Sequence, residues 1–242
     1  MTTPAAREDR RSIDWLLTIA VLAVAATFIR AIYFTPAEAR QGLAQKIFYV
    51  HAPSAFIGLY IAFGLVAVAG VLYLWLRDER LDRIAASSAE VGVVYMTVVL
   101  ITGPMWGKPI WGTWWTWDAR LTSELMLLFL YFGVIGLYHA IEDTRQAARA
   151  AAFLALVGIV NLPIVHYSVV WWNTLHQAQT VSLMGQSKIS ANMLWPLLTL
   201  AFATHVYFFA SVLARARVML LSLESGKEWV RSLVSAVEIA HG

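Results

Sequence analysis

Six runs of apolar residues, each long enough to cross a bilayer as a helix, constrain this chain more than any other feature of its sequence. They fall at approximately 13–33, 50–76, 88–104, 121–141, 150–169 and 191–214, bounded by charge, proline or glycine clusters. A hydrocarbon core of ~30 Å takes about 20 helical residues to cross. None of the runs shows the two-residue alternation of barrel strands. The overall balance agrees: 60% of the 242 residues are apolar and 14% charged, against about half and about a quarter in soluble domains. The expected fold is an all-α integral membrane protein with six transmembrane helices, forming one membrane domain over residues 1–242.

The first run follows Arg7, Glu8, Asp9, Arg10 and Arg11 and resembles a signal sequence. It extends to about Phe28 without a convincing cleavage site, so it reads as an uncleaved first span. Lys and Arg then set the orientation. Twelve of the eighteen lie on the side of the termini, among them Arg77, Arg80, Arg83, Arg145, Arg149, Arg215, Lys227 and Arg231. Six lie on the other: Arg30, Arg40, Lys46, Lys108, Arg120 and Lys188. Both termini are therefore expected to be cytoplasmic. Trp106, Trp111, Trp114, Trp115, Trp117, Trp171, Trp172 and Trp195 then fall on or near the outer side, with only Trp15, Trp75 and Trp229 towards the inside. A symmetrical pair of interfacial belts does not look like this. The outer surface is specialised.

The densest part of that surface runs Trp106-Gly107-Lys108-Pro109-Ile110-Trp111-Gly112-Thr113-Trp114-Trp115-Thr116-Trp117-Asp118, with five indoles within twelve residues. Gly103, Pro104, Gly107, Pro109 and Gly112 interrupt regular structure, so a shaped loop is expected between the third and fourth spans. Indoles offer wide apolar faces with one N–H donor each, which suits a planar, largely apolar ligand at a wet boundary. An interfacial loop anchored in lipid headgroups would use the same residues.

The chain has no cysteine, which excludes disulfides, thiolate metal sites and cysteine nucleophiles. Any haem or copper ligand must be His, Met or Tyr. Of the six histidines, His139, His205 and His241 lie away from the outer face and read as neutral, satisfied rings. His51, in Tyr49-Val50-His51-Ala52-Pro53-Ser54, is expected in the first turn of the second span, its ring near the interface. His176 follows Trp171-Trp172-Asn173-Thr174-Leu175 in the loop after the fifth span. Each alone reads equally well as a ring bonded to a loop carbonyl. Together, flanking the tryptophan loop, they could supply the two axial positions of a haem. His166, after Asn161-Leu162-Pro163, is left out of that pair, and Pro163 is expected to kink the fifth span.

Charged residues complete the picture. Arg120 and Lys108 could meet carboxylates at a pocket rim. An internal Asp118–Arg120 contact, or a place for Asp118 at a helix N-terminus, is an equal alternative. Glu90 is a lone acid early in the third span, and intramembrane acids are functional candidates by default. No Gly-rich phosphate loop is present, so this chain itself does not hydrolyse ATP.

The run Trp106 to Glu124 resembles the "WWD" signature of the haem-handling proteins of cytochrome c biogenesis. More narrowly, Asn161-Leu-Pro-Ile-Val-His-Tyr-Ser168 with Trp171-Trp172-Asn-Thr-Leu-His176-Gln177 is similar to the CcmC branch, as are the six-span length and His51-Ala-Pro-Ser-Ala. The branch often carries an acidic residue where this chain has Val170. The resemblance implies haem b held by His51 and His176 as axial iron ligands. It places Trp106, Trp111, Trp114, Trp115, Trp117, Asp118 and Arg120 around the ring. It also implies a bacterial inner-membrane protein that loads the periplasmic haem chaperone CcmE and works with CcmD and the ABC-type pair CcmA and CcmB, without turnover chemistry of its own.

Two other classes fit part of the pattern. A b-type redox cytochrome or quinol oxidoreductase buries haem between histidines on facing spans, for which the midplane offers only His205. A secondary transporter calls for repeats and paired intramembrane charges, of which Glu90 alone is a trace.

Overall fold

A computed structural model of the chain describes residues 4–176, 189–223 and 228. Gln177, Lys188, Lys227, Trp229, Arg231 and His241, named above, lie outside the described residues. The described residues are helical without a strand, and six of the helical segments are long and apolar enough to cross a membrane. This is an all-α, multi-pass membrane protein.

The first span is α1 (Pro4–Tyr33). The second opens with a 3-10 turn (Leu43–Ile47) and continues as α2 (Phe48–Phe56), a π-helical turn (Ile57–Ala62) and α3 (Phe63–Leu76). The third is α4 (Glu79–Trp111) and the fourth α5 (Ala119–Ala140). The fifth is α6 (Thr144–Gly158) followed by α7 (Asn161–Trp171), and the sixth is α8 (Ala191–Leu223). Six crossings place the start of α1 and the end of α8 on the side opposite His51.

Local chemistry explains the helix ends. Asp78, Asp118 and Asp143 cap α4, α5 and α6, each carboxylate accepting a first-turn backbone N–H. Gly112, at φ +74°, stops α4 in the left-handed conformation, its N–H returning to the Lys108 carbonyl at 3.0 Å. The fifth span breaks at Ile159–Val160, just ahead of Pro163. Pro163 has no N–H for the Ile159 carbonyl, which takes the Leu162 N–H at 3.0 Å instead. Where the kink was expected, the helix is interrupted between α6 and α7.

One expectation fails. Gly103, Pro104, Gly107 and Pro109 were assigned to a loop, yet α4 runs through all four to Trp111. The glycines make room for rings. A Cβ on Gly103 would lie 3.3 Å from His51 Cε1, and one on Gly107 only 2.7 Å from Trp111 Cε3. Glycine and proline are tolerated in membrane helices because neighbours re-satisfy the freed backbone. Trp106 and Trp111 are therefore helix residues, and only 112–118 form the loop.

Helices α3, α4, α5 and α6 pack side by side, with α8 on α4 and α1 on α8. Lipid is as apolar as leucine, so association inside a membrane rests on close packing rather than on leaving water. Small residues provide it: a Cβ on Gly70 would touch the Ala152 backbone at 3.2 Å, and one on Gly92 would meet Ala62 and Tyr131 at 2.7 Å. Phe63, Met96, Tyr131 and Phe208 fill the interior, while Trp75, Phe129 and Phe202 face outwards. The π turn frees backbone carbonyls that side chains then cap, Tyr131 donating to Gly58 O at 2.6 Å and Ser88 to Ala62 O at 3.0 Å. Glu90 pairs with Arg215 of α8, 2.5 Å apart at the far end of the bundle.

Candidate functional site

Two histidine rings face each other at the tryptophan-rich end. His51 lies one turn into α2 and is only 6% exposed, so its ring is buried among neighbouring side chains. Its Nδ1 is 3.0 Å from the Thr102 hydroxyl on α4. That hydroxyl gives its own proton to the Val98 carbonyl at 2.7 Å, so it accepts from His51 Nδ1–H. The Nε2 lone pair is thereby left free, the state in which imidazole binds metals. Trp106 packs beside the ring, centroids 5.8 Å apart, and is itself held by a 3.1 Å bond from its Nε1–H to Gln41 Oε1.

His176 comes from the segment after α7. The Asp118 carboxylate, already capping α5, also accepts the Leu175 N–H at 3.1 Å. Trp111 packs on the His176 ring at 5.1 Å. Burial pushes the His176 pKa down to about 4, helped by nearby Arg120 and opposed by Asp118. The ring is neutral at ordinary pH, and its Nδ1 is buried without a partner.

The two ring centroids are 6.5 Å apart, with 36° between the planes. A histidine nitrogen binds a metal at about 2 Å, so rings on opposite sides of one ion have centroids about 6 Å apart. The pair stands at the separation that a single ion between them requires.

Around this pair the sequence itself matches one known family. Residues 3–231 match the family described as "CcmC: Heme exporter protein C". The chain belongs to that family. Among its relatives, Heme exporter protein C of Escherichia coli (strain K12) is 42% identical over 224 residues, covering 92% of this chain and 89% of the relative. That of Haemophilus influenzae is 38% identical over 222 residues, covering 92% and 89%. A ccmC-like mitochondrial protein of cytochrome c biosynthesis from Marchantia polymorpha is 37% identical over 195 residues, covering 81% and 78%.

In this member of the Heme exporter protein C family, the expected site residues divide into three groups. His51, His176, Trp106 and Trp111 form one contiguous cluster. Trp114 and the 76%-exposed Trp117 stand on the rim, while Trp115 packs edge-on to Trp117 and keeps its Nε1–H buried without an acceptor. Asp118 tethers and caps rather than meeting Arg120. The Arg120 guanidinium points inwards, giving 2.6 Å and 2.9 Å bonds to Glu124 Oε1 and the Val165 carbonyl. Lys108 caps the end of α4 through the Gly112 carbonyl at 2.9 Å.

Unmet buried polar atoms mark the same end. Among the described residues they are Gln45 Oε1, Trp115 Nε1 and His176 Nδ1 here, with Arg83 Nε elsewhere. Thr102 and Gln41 escaped the sequence reading. A threonine in an apolar run carries no signal of its own, although Thr102 lies four residues before Trp106 and so on its face of the helix. His166 lies lower, its Nδ1 2.9 Å from the Tyr60 hydroxyl. His205 bonds the Ala201 carbonyl of its own helix at 2.6 Å.

Proposed function

We propose that this chain is a haem-binding membrane protein of cytochrome c maturation, which presents haem at the periplasmic face and promotes its loading onto the chaperone CcmE. The observation that carries the reading is the facing pair His51 and His176 at 6.5 Å. Family membership and the names of the relatives point to the same cargo.

The donor set fits haem b held without covalent attachment. Two neutral imidazoles supply axial positions, Trp106 and Trp111 wall them, and the unmet Trp115 N–H suits an acceptor such as a propionate. Trp114 and Trp117 leave the rim open to a partner, and a carrier that hands its cargo on needs such access. The uneven Lys and Arg distribution favours a periplasmic position for this end, in a bacterial inner membrane. CcmD and the ABC-type subunits CcmA and CcmB are the expected partners. A buried-cytochrome role has less support, because His166 and His205 are engaged by a tyrosine and a backbone carbonyl rather than by each other.

The test is the visible spectrum of the purified protein beside that of the His51→Ala/His176→Ala double variant. Low-spin, bis-imidazole bands in the parent that vanish in the variant support the reading. Low-spin bands retained in both would overturn it, as would no haem in either.

A further inference from the structure

The first span rests mainly on the sixth, α1 against α8. Their seam stays open at the end of the bundle opposite His51. There Leu17 and Val21 of α1 stand apart from Tyr207, Ser211, Ala214 and Val218 of α8, leaving a groove of about 330 Å³. Tyr207 and Val218 are eleven positions apart, about 16 Å along a helix. Spread over that length, the groove has a cross-section of about 20 Å². A helix about 10 Å across covers about 80 Å², so no further span seats in it. A single extended hydrocarbon chain does.

Arg215 lines the same groove, towards its Val218 end and away from the membrane centre. Its Nε–H donates to Glu90 Oε2 of α4 at 2.5 Å, which fixes the plane of the guanidinium. Glu90 thereby takes one of five N–H groups. Among the described residues the Nη groups meet no other acceptor, and the side chain is 49% exposed. A guanidinium holds its donors as a rigid fork that matches the oxygens of a phosphate. Tyr207 lies eight residues deeper, about 12 Å. A cation near the membrane surface with apolar walls below it is the order of a phospholipid, phosphate above acyl chain. Twelve of the eighteen Lys and Arg lie on this side, and cations near a membrane surface attract anionic lipid.

We propose that the α1–α8 seam is a binding site for one anionic phospholipid. Its phosphate sits on Arg215, and one acyl chain lies between Leu17, Val21 and Ala214. Helices inside a membrane are held by close packing, which the two walls of the groove lack. The lipid supplies it, and so secures the first span to the bundle.

The experiment uses the full chain, purified in detergent and stripped of lipid, then titrated with dioleoylphosphatidylglycerol or dioleoylphosphatidylcholine. Native mass spectrometry counts the bound lipid, and the thermal midpoint is followed in parallel. One phosphatidylglycerol per chain is expected, held about five-fold or more tighter than phosphatidylcholine and raising the midpoint. Glu90→Gln/Arg215→Gln removes both charges together, so that neither is stranded, and is expected to lose the preference. Ala214→Trp fills the groove, keeps Arg215 and is expected to abolish retention of either lipid, with parental circular dichroism showing that it is folded. Should it not fold, Val21→Phe narrows the groove from the other wall to the same end. Equal affinity for the two lipids, or parental retention in the groove-filling variant, overturns the proposal. So does a parent that retains no lipid, which would leave the groove to a partner's side chains. Glycerol phosphate raising the midpoint as far as phosphatidylglycerol overturns it as well, because the site would then read a phosphate without its chain.

Discussion

The Asp118 carboxylate and the Leu175 backbone N–H, 57 residues apart in the chain, are joined by a 3.1 Å hydrogen bond. The same carboxylate caps α5 through the Leu121 N–H at 2.9 Å. One side chain thus holds two outer segments in register and sets His176 opposite His51.

Asp118→Ala removes the cap, at about 1 kcal/mol, and the tether together. Haem affinity is expected to fall about ten-fold, as for other groups that orient a ligand. Asp118→Asn keeps one accepting oxygen and is expected to fall between the two. Haem titration of the purified variants, followed at the Soret band, checks the order.

Thr102→Val is close in shape but removes the hydroxyl that accepts from His51 Nδ1–H, an expected cost of about 1 kcal/mol. Loosened low-spin haem, with Thr102→Ser restoring the parental spectrum, is the expected result. Parental affinity in the valine variant would show that Thr102 does not orient His51.

Gly107→Ala places a Cβ 2.7 Å from Trp111 Cε3, closer than the ring can tolerate without moving. Trp111 packs on His176, so the displacement should reach the ligand and shift the haem bands. Gly136→Ala on α5 meets nothing within 4 Å and is expected to be silent. The two spectra, compared side by side, separate a local effect from a general cost of alanine.

Arg120 and Glu124 form a buried pair in which Glu124 is 2% exposed. Removing either partner strands a charge, at about 3–5 kcal/mol. The thermal midpoint in detergent should therefore drop sharply in Arg120→Leu and in Glu124→Leu. The double Arg120→Leu/Glu124→Leu variant should drop less than either, since coupled neighbours are not additive.

Much of this protein was legible in one dimension. Six spans follow from hydropathy because a helix is the simplest way to satisfy a backbone inside lipid. The choice of His51 and His176 followed from their common side and their tryptophan neighbours, and these are the two rings the fold brings face to face. Composition also limited the ligand chemistry, since a chain without cysteine must use other donors.

Tertiary structure decided the rest, because those features depend on which surfaces meet. Gly103 and Gly107 read as loop residues until the rings of His51 and Trp111 take the space a Cβ would fill, and α4 runs through Pro104 and Pro109 as well. Arg120 read as a rim cation, and only the approach of α7 to α5 turns it inwards to Glu124 and the Val165 carbonyl. Thr102 and Tyr60 carried no signal in sequence, since a hydroxyl acquires a role only when a partner from another span comes within about 3 Å of it. Hydropathy is a property of single segments, so sequence determined the spans. The tautomer of His51, the tether on His176 and the inward turn of Arg120 are properties of pairs, and packing alone determined them.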